Sequence, residues 1–385
     1  METNPGSLAT FTTKEDSSFH RLFVSFHASL YGFEHGCRPL LFLDSIFLKS
    51  KYQGSLLAAT AADGDDGFFP VAFAVVDTES DENWRWFLQQ LKTALSNCHG
   101  LTFVADREKG LRESIAGNFQ NEDVHHGFCL RYLSEQFVRD LKGKFSHEVK
   151  RLMVEDFFSA AHAPTPEGAR YNHMTSNFGE LFYNWVRDAH ELPITQMVDA
   201  IRNKIMELIY SRRSESIDWL RRLTPSMEDR LEKESAKVST LQVLISAGNR
   251  FEVRGETVEV VDVDNCDCSC KGWQLTGLPC SHAIAVIGCL GRDPHDYCSR
   301  YFTTESYRTT YSQSVHPISN VNGSFQKGTS QLAVTVTPPP TRRPPGRPTT
   351  KKTGSQDVGK RQFLCSRCKG TGHNKSNCKE LLLEC

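Results

Sequence analysis

Four ligand-type residues between positions 268 and 282 constrain this chain more than any other feature: Cys268, Cys270, Cys280 and His282, in a C-x-C…C-x-H arrangement. Three thiols and an imidazole suit a tetrahedral Zn²⁺, and a closed shell of four protein ligands is structural, with no open position for catalysis. The apolar alternation over Phe251–Val263, broken at Arg254-Gly255-Glu256, predicts a β-hairpin that delivers the C-x-C pair. His282 opens the apolar run Ala283–Gly288, which predicts a helix carrying the last two ligands. Cys266 competes with Cys268 for the first ligand position. Buried, unliganded cysteines are the alternative, but four Cys and a His crowded into Cys266–His282 argue against it.

A second set lies near the end of the chain. Cys365, Cys368, His373 and Cys378 follow a C-x2-C-x4-H-x4-C spacing. So short a segment has almost no core and must be ordered by metal. The two sets imply two structural zinc sites. Together with Cys266 the two clusters take seven of the 13 cysteines, and Cys clustered with His favours metal over a disulfide framework. The N-terminus lacks a basic segment followed by an apolar run, so no signal peptide is expected, and no stretch approaches the ~18 apolar residues of a membrane span. A reducing compartment, cytosol or nucleus, follows from these readings.

Residues 1–18 are polar and weakly patterned and are expected to be disordered. Three apolar β-type runs follow, Arg38–Lys49, Ser55–Ala62 and Phe68–Asp77, separated by turn signals at Tyr52-Gln53-Gly54 and Asp63–Gly67. Such short connections predict an antiparallel meander. Glu82–Asn97 has helical spacing, and Leu101–Ala105 is a short apolar strand ending on Asp106. Three strands, a helix and a buried strand ending in a carboxylate are the order of an RNase H-like α/β core. Residues 130–240 read as mostly helical. Residues 312–361 are a basic, Pro-rich linker: between Thr341 and Arg361 seven Lys and Arg face one Asp, although the formal net charge of the whole chain is -1.

The segment around Cys268 resembles the SWIM finger, and WQLTGLPCSHAIA is similar to its version in plant Mutator-like transposases. The second Cys/His set resembles the CCHC zinc knuckle. Knuckles bind single-stranded nucleic acid or proteins; no aromatic stands inside this one for base stacking, so a protein-binding role stays open. Arg342-Arg343-Pro344-Pro345-Gly346-Arg347-Pro348 resembles an AT-hook core, in which Arg342, Arg343 and Arg347 would reach an A·T minor groove. A solvated basic linker or a nuclear localisation signal reads equally well.

The resemblance to Mutator-like transposases extends over roughly Phe19–Arg308. LFLDSIFLKSKYQGSLLAATAADGDDGFFPVAFAVVD, ENWRWFLQQL, FVADREKGL and RYNHMTSNFGELFYNW are similar to successive blocks of that family, and the domesticated plant group called MUSTANG is the nearest in appearance. It implies an RNase H-like core over 19–240 with a shortened helical insertion, a SWIM finger over 250–305, the linker, and a knuckle over 362–380. It also implies a carboxylate triad of Asp44, Asp106 and Glu180 that holds Mg²⁺ for in-line displacement at a phosphodiester. Asp77, Glu79, Asp81 and Glu82 are decoys that more simply cap the following helix. The chain departs from the family at Ser45, where Gly is usual, and at Tyr132, where His is usual. The stretch Ala163–Gly168 is short, and nothing before Phe19 resembles the N-terminal zinc domain of complete transposases.

The expectation is therefore a nuclear zinc- and DNA-binding protein of transposase descent, domesticated as a regulator. An active Mg²⁺-dependent transposase and a zinc-module adaptor that binds only proteins are the alternatives. No membrane partner is expected.

Overall fold

The computed structural model describes residues 3–49, 54–96, 100–105, 111–120, 123–128, 130–161, 178–245, 249–318, 364–366, 368, 371 and 375–378. The chain divides into two units, Met1–Arg342 and Arg343–Cys385.

The first unit opens on strands β1 (Leu8–Thr13) and β2 (Phe19–Ser25), followed by helix α1 (His27–His35). This corrects the expected disorder over residues 1–18: Leu8–Thr13 pairs antiparallel with Phe19–Ser25 from Leu8 opposite Ser25 onward. β1 alternates only weakly, because as an edge strand it needs the ladder of β2 more than a buried face. Next come β3 (Leu40–Phe47), β4 (Ser55–Ala62) and β5 (Phe68–Val76), the antiparallel meander that the turn signals predict. Helix α2 (Asp81–Ala94), β6 (Leu101–Ala105), α3 (Leu111–Asn118) and β7 (Val124–Phe128) complete the sheet region.

Among the described residues these strands form one seven-stranded sheet in the order β1-β2-β5-β4-β3-β6-β7. β6 and β7 run parallel to β3, with Phe42 opposite Val104 and Ala105 opposite Phe128. Every residue of β4 and β5 is buried. Such continuous apolar runs need cover on both faces, which is why they lack the alternation of a half-exposed strand. α1 and α2 lie against β5, and α6 (Phe178–Trp185) lies across β3, β4 and β5.

The decoy carboxylates are used locally, but the capping side chain is that of Ser80, not one of theirs. Ser80 caps α2 by accepting a hydrogen bond from the Asn83 amide at 3.2 Å, with Asp81 and Glu82 in the first turn. Glu79 accepts from the Trp84 indole N–H at 3.1 Å, and Asp77 pairs with Lys14 at 2.6 Å. Negative charge at a helix N-terminus is favourable.

Helices α4 (Leu130–Asp140), α5 (His147–Ala161), α7 (Ile194–Ser216) and α8 (Pro225–Ala236) agree with the helical reading of residues 130–240. Met197, Ile201, Ile205 and Ile209 make the buried stripe of α7. A four-stranded antiparallel sheet follows, β8 (Gln242–Ile245), β9 (Arg250–Arg254), β10 (Val258–Asp262) and β11 (Asp267–Cys268), then helices α9 (Gly272–Thr276), α10 (Ser281–Cys289) and α11 (Thr304–Thr310).

The chain then returns to the first sheet. Tyr311, just past α11, is fully buried and donates its hydroxyl to Asp63 at 2.7 Å. Asp63 is itself fully buried, and burial raises its pKa against the pull of that hydrogen bond. A hydrogen bond to an ionised acceptor contributes about 1.5–3 kcal/mol. Tyr311→Phe is expected to destabilise the first unit by about that amount. The reading is a lower denaturant midpoint at unchanged slope; a midpoint equal to wild type would show that this bond does not anchor the turn.

Candidate metal centres and carboxylate site

The β10–β11 hairpin sets the first ligands. Val261 pairs with Cys268, and the connection turns through Cys266, whose φ of 49° is left-handed. Cys268 is fully buried by this pairing. Cys270 follows in a turn that Lys271, at φ 60°, bends into α9, and the Gly272 amide donates to the Cys270 sulfur at 3.4 Å. Cys280 is the N-cap of α10 and His282 stands in its first turn, as the apolar run after His282 predicts. Trp273, almost fully buried among Phe251, Val261 and Ala283, supplies the core beneath the cluster.

The four side chains converge: ligand atoms of Cys268, Cys270, Cys280 and His282 all lie within 4.8 Å of one another. The Cys270 and Cys280 sulfurs are 3.5 Å apart, and the Cys268 sulfur is 3.8 Å from His282 Nδ1. A tetrahedron with Zn–S near 2.3 Å and Zn–N near 2.0–2.1 Å has edges of about 3.5–3.8 Å, so the donor set fits zinc. Hydrogen bonds from Cys268 and Cys280 push the Cys270 thiol well below its usual range, and Cys268 is pushed well above it as the donor. Three crowded sulfurs thus share protons, and one dication can replace those protons. Cys266 stays outside: its thiol faces the Val263 carbonyl at 3.8 Å. Of the two residues that compete for the first position, Cys268 is the one within the cluster.

In the second unit, the sulfurs of Cys365, Cys368 and Cys378 also lie within 4.8 Å of one another. A bridge between Leu364 and Thr371 and a short turn at Lys375–Asn377 frame them. His373 lies outside the described residues, as do Arg342, Arg343 and Arg347.

The carboxylate site is built on β3. Asp44 is half-buried in the middle of the strand and accepts from the Ser45 amide at 2.8 Å. α6 sits directly over it. Phe178 stacks on Phe42 with centroids 4.6 Å apart, and a Cβ at Gly179 would stand 2.8 Å from the Asp44 carboxyl carbon and overlap its oxygen. A larger side chain at Gly179 would require the Asp44 carboxylate to turn away from this helix. Glu180, exposed in the first turn, follows immediately. The sequence reading passed over Gly179; its signal is a helix-unfavourable residue next to a candidate metal-binding Glu. Asp106 lies outside the described residues, directly after β6.

Residues 40–136 match the MULE transposase domain, and residues 256–291 match the SWIM zinc finger. The first match spans Asp44 and Asp106, and the second spans Cys268, Cys270, Cys280 and His282. No curated protein sequence matches the chain. Among the described residues no helix is long and apolar enough to cross a membrane.

Elemental analysis of the purified chain is expected to return two zinc equivalents. Cys280→Ser is expected to remove one of them and unfold the segment from β10 to α10, because an opened structural site loses its folding energy with its metal. Metal-free protein with an unchanged melting profile would refute both assignments.

Proposed function

We propose that this chain is a nuclear zinc- and DNA-binding protein of Mutator-like transposase descent, nearest the MUSTANG group and domesticated as a regulator. The observation that carries the reading is one continuous body holding both matched parts: the sheet of the transposase domain and the zinc finger. The order β5-β4-β3-β6-β7, antiparallel up to β3 and parallel beyond it, supports an RNase H-like core. Zinc at Cys268, Cys270, Cys280 and His282 orders the finger. Cys365, Cys368, His373 and Cys378 hold a second zinc in a CCHC knuckle.

A second reading, active strand transfer, is favoured by the seat of α6 on Asp44. The transposase-domain match spans both Asp44 and Asp106. Asp44, Asp106 and Glu180 are then the residues that would hold Mg²⁺, which supplies activation of a nucleophile and stabilisation of the leaving oxygen at a phosphodiester. A strand-cleavage assay with Mg²⁺ or Mn²⁺ separates the two. The regulatory reading expects wild type and Asp106→Asn to bind duplex DNA equally and to leave it uncut. Cleavage by wild type that Asp106→Asn abolishes would replace regulation with catalysis.

DNA contact is assigned in part to the basic linker, through Arg342, Arg343 and Arg347. Each phosphate contact contributes about -0.9 to the slope of log affinity against log salt, so four or five contacts give roughly -4. A chain ending at Pro338 is expected to lose that part of the slope in gel-shift titrations at two salt concentrations. Equal slopes for both chains would leave the linker as a nuclear import signal only.

A further inference from the structure

Most arginines of the first unit are spent on internal partners. Arg38 and Arg230 both pair with Asp66, Arg222 with Asp293 and Asp296, Arg202 with Asp199, and Arg308 with the Ser216 carbonyl. The turn between α4 and α5 is different. Residues 139–151 hold five cations, Arg139, Lys142, Lys144, Lys150 and Arg151, against Asp140 and Glu148. Arg151 pairs with Glu155 at 2.8 Å. Among the described residues no hydrogen bond or ion pair engages the side chains of Arg139, Lys142, Lys144 or Lys150.

The turn is also shaped to present them. Phe137 of α4 stacks on Phe157 of α5 at 5.0 Å, and Leu141 is buried, so the two helices are tied together just below the turn. Gly143, at φ 80°, takes the left-handed position that lets Lys142 and Lys144 flank a tight reversal. Phe145 stands at the apex 46% exposed, and Val149 and Leu152 continue an exposed apolar line along α5 at 41% and 49%. Solvent-facing apolar side chains on a turn with several lysines that make no ion pair among the described residues are poorly suited to water alone. They match a partner with closely spaced negative charge and apolar faces between the charges, which is the chemistry of duplex nucleic acid.

We infer that the α4–α5 turn is a DNA-contacting element, in which Lys142, Lys144 and Lys150 engage backbone phosphates and Phe145 lies against the sugar–base surface between them. The inference rests on the DNA-binding reading above and adds to it a contact in the first unit, separate from the basic linker. Phosphate contacts carry the salt dependence of binding, whereas an inserted apolar side chain adds affinity without releasing counterions.

The experiment uses the full chain and a duplex of mixed sequence, with binding measured by fluorescence anisotropy over a salt series. The triple variant Lys142→Gln/Lys144→Gln/Lys150→Gln is expected to flatten the salt slope by about 2–3 and to weaken binding roughly tenfold or more near 0.1 M salt. Phe145→Ala is expected to weaken binding while keeping the wild-type slope. All the altered side chains are on the surface, so zinc content and melting temperature should stay at wild-type values. Wild-type affinity and slope in the triple variant would overturn the inference and leave the DNA-binding reading standing. No duplex binding by the unaltered chain would overturn both. Loss of binding to polyglutamate, with duplex binding kept, would assign the turn to an acidic protein partner and reject DNA.

Discussion

The buried carboxylate of Asp63 holds the first unit together. A carboxylate taken out of water is costly unless donors surround it. Here Oδ1 accepts from the amides of Asp65 and Gly67 at 2.9 and 2.6 Å, while Oδ2 accepts from Tyr311. The two amides fold the β4–β5 connection into a tight turn, and the tyrosine draws in the chain that follows the zinc finger. The rest of the turn repeats the pattern. Gly64 offers its carbonyl to Thr224 at 2.9 Å, Asp65 accepts from the Ser226 amide at 2.8 Å, and Asp66 lies between Arg38 and Arg230 at 2.5 Å from each. Residues separated by more than 150 positions thus meet at one turn, and the finger is clamped to the sheet through α8 and α11.

That clamp explains where the sequence could be read and where it could not. Asp63–Gly67 is legible as a turn because of its glycines and aspartates, and the turn is there. What the pattern cannot convey is that its carboxylates face inward, because their partners, Thr224, Ser226, Arg230 and Tyr311, lie far along the chain. β4 and β5 were legible because continuous apolar runs need no distant information to be recognised as buried. β1 was not, because Leu-Ala-Thr-Phe-Thr-Thr has little periodicity of its own and becomes a strand only through the ladder of β2. The zinc cluster was the most legible feature, since the spacing of its ligands is itself the geometric requirement; only the choice between Cys266 and Cys268 needed the hairpin register.

The acidic residues show the same division. Glu79 and Asp77 are consumed locally, one by the Trp84 indole and the other by Lys14. Asp63, Asp65 and Asp66 are consumed by the clamp. Asp44 differs because its neighbour is the main chain of α6 at Gly179. Residue type alone cannot separate these three uses; what faces the carboxylate does.

The route from the zinc cluster to the sheet runs through one helix. At its far turn, α8 offers Glu234 to the Ser281 amide at 3.0 Å, the first residue of the helix that carries His282. One helical turn earlier, Arg230 reaches Asp66 in the β4–β5 turn. Glu228, at the start of the helix, accepts from the Leu223 amide at 3.1 Å and faces His295 at 3.2 Å; burial opposes charge on that imidazole, yet Asp293 and Glu228 outweigh it and raise its pKa. Each of these contacts fixes the helix to a different part of the fold. Because Ser281 follows Cys280 directly, the position of its amide depends on the thiolate being held. A metal held at Cys280 would therefore bear on more than its own loop: the start of α10 meets one end of α8 through Ser281 and Glu234, and Arg230 of the same helix meets Asp66 in the β4–β5 turn.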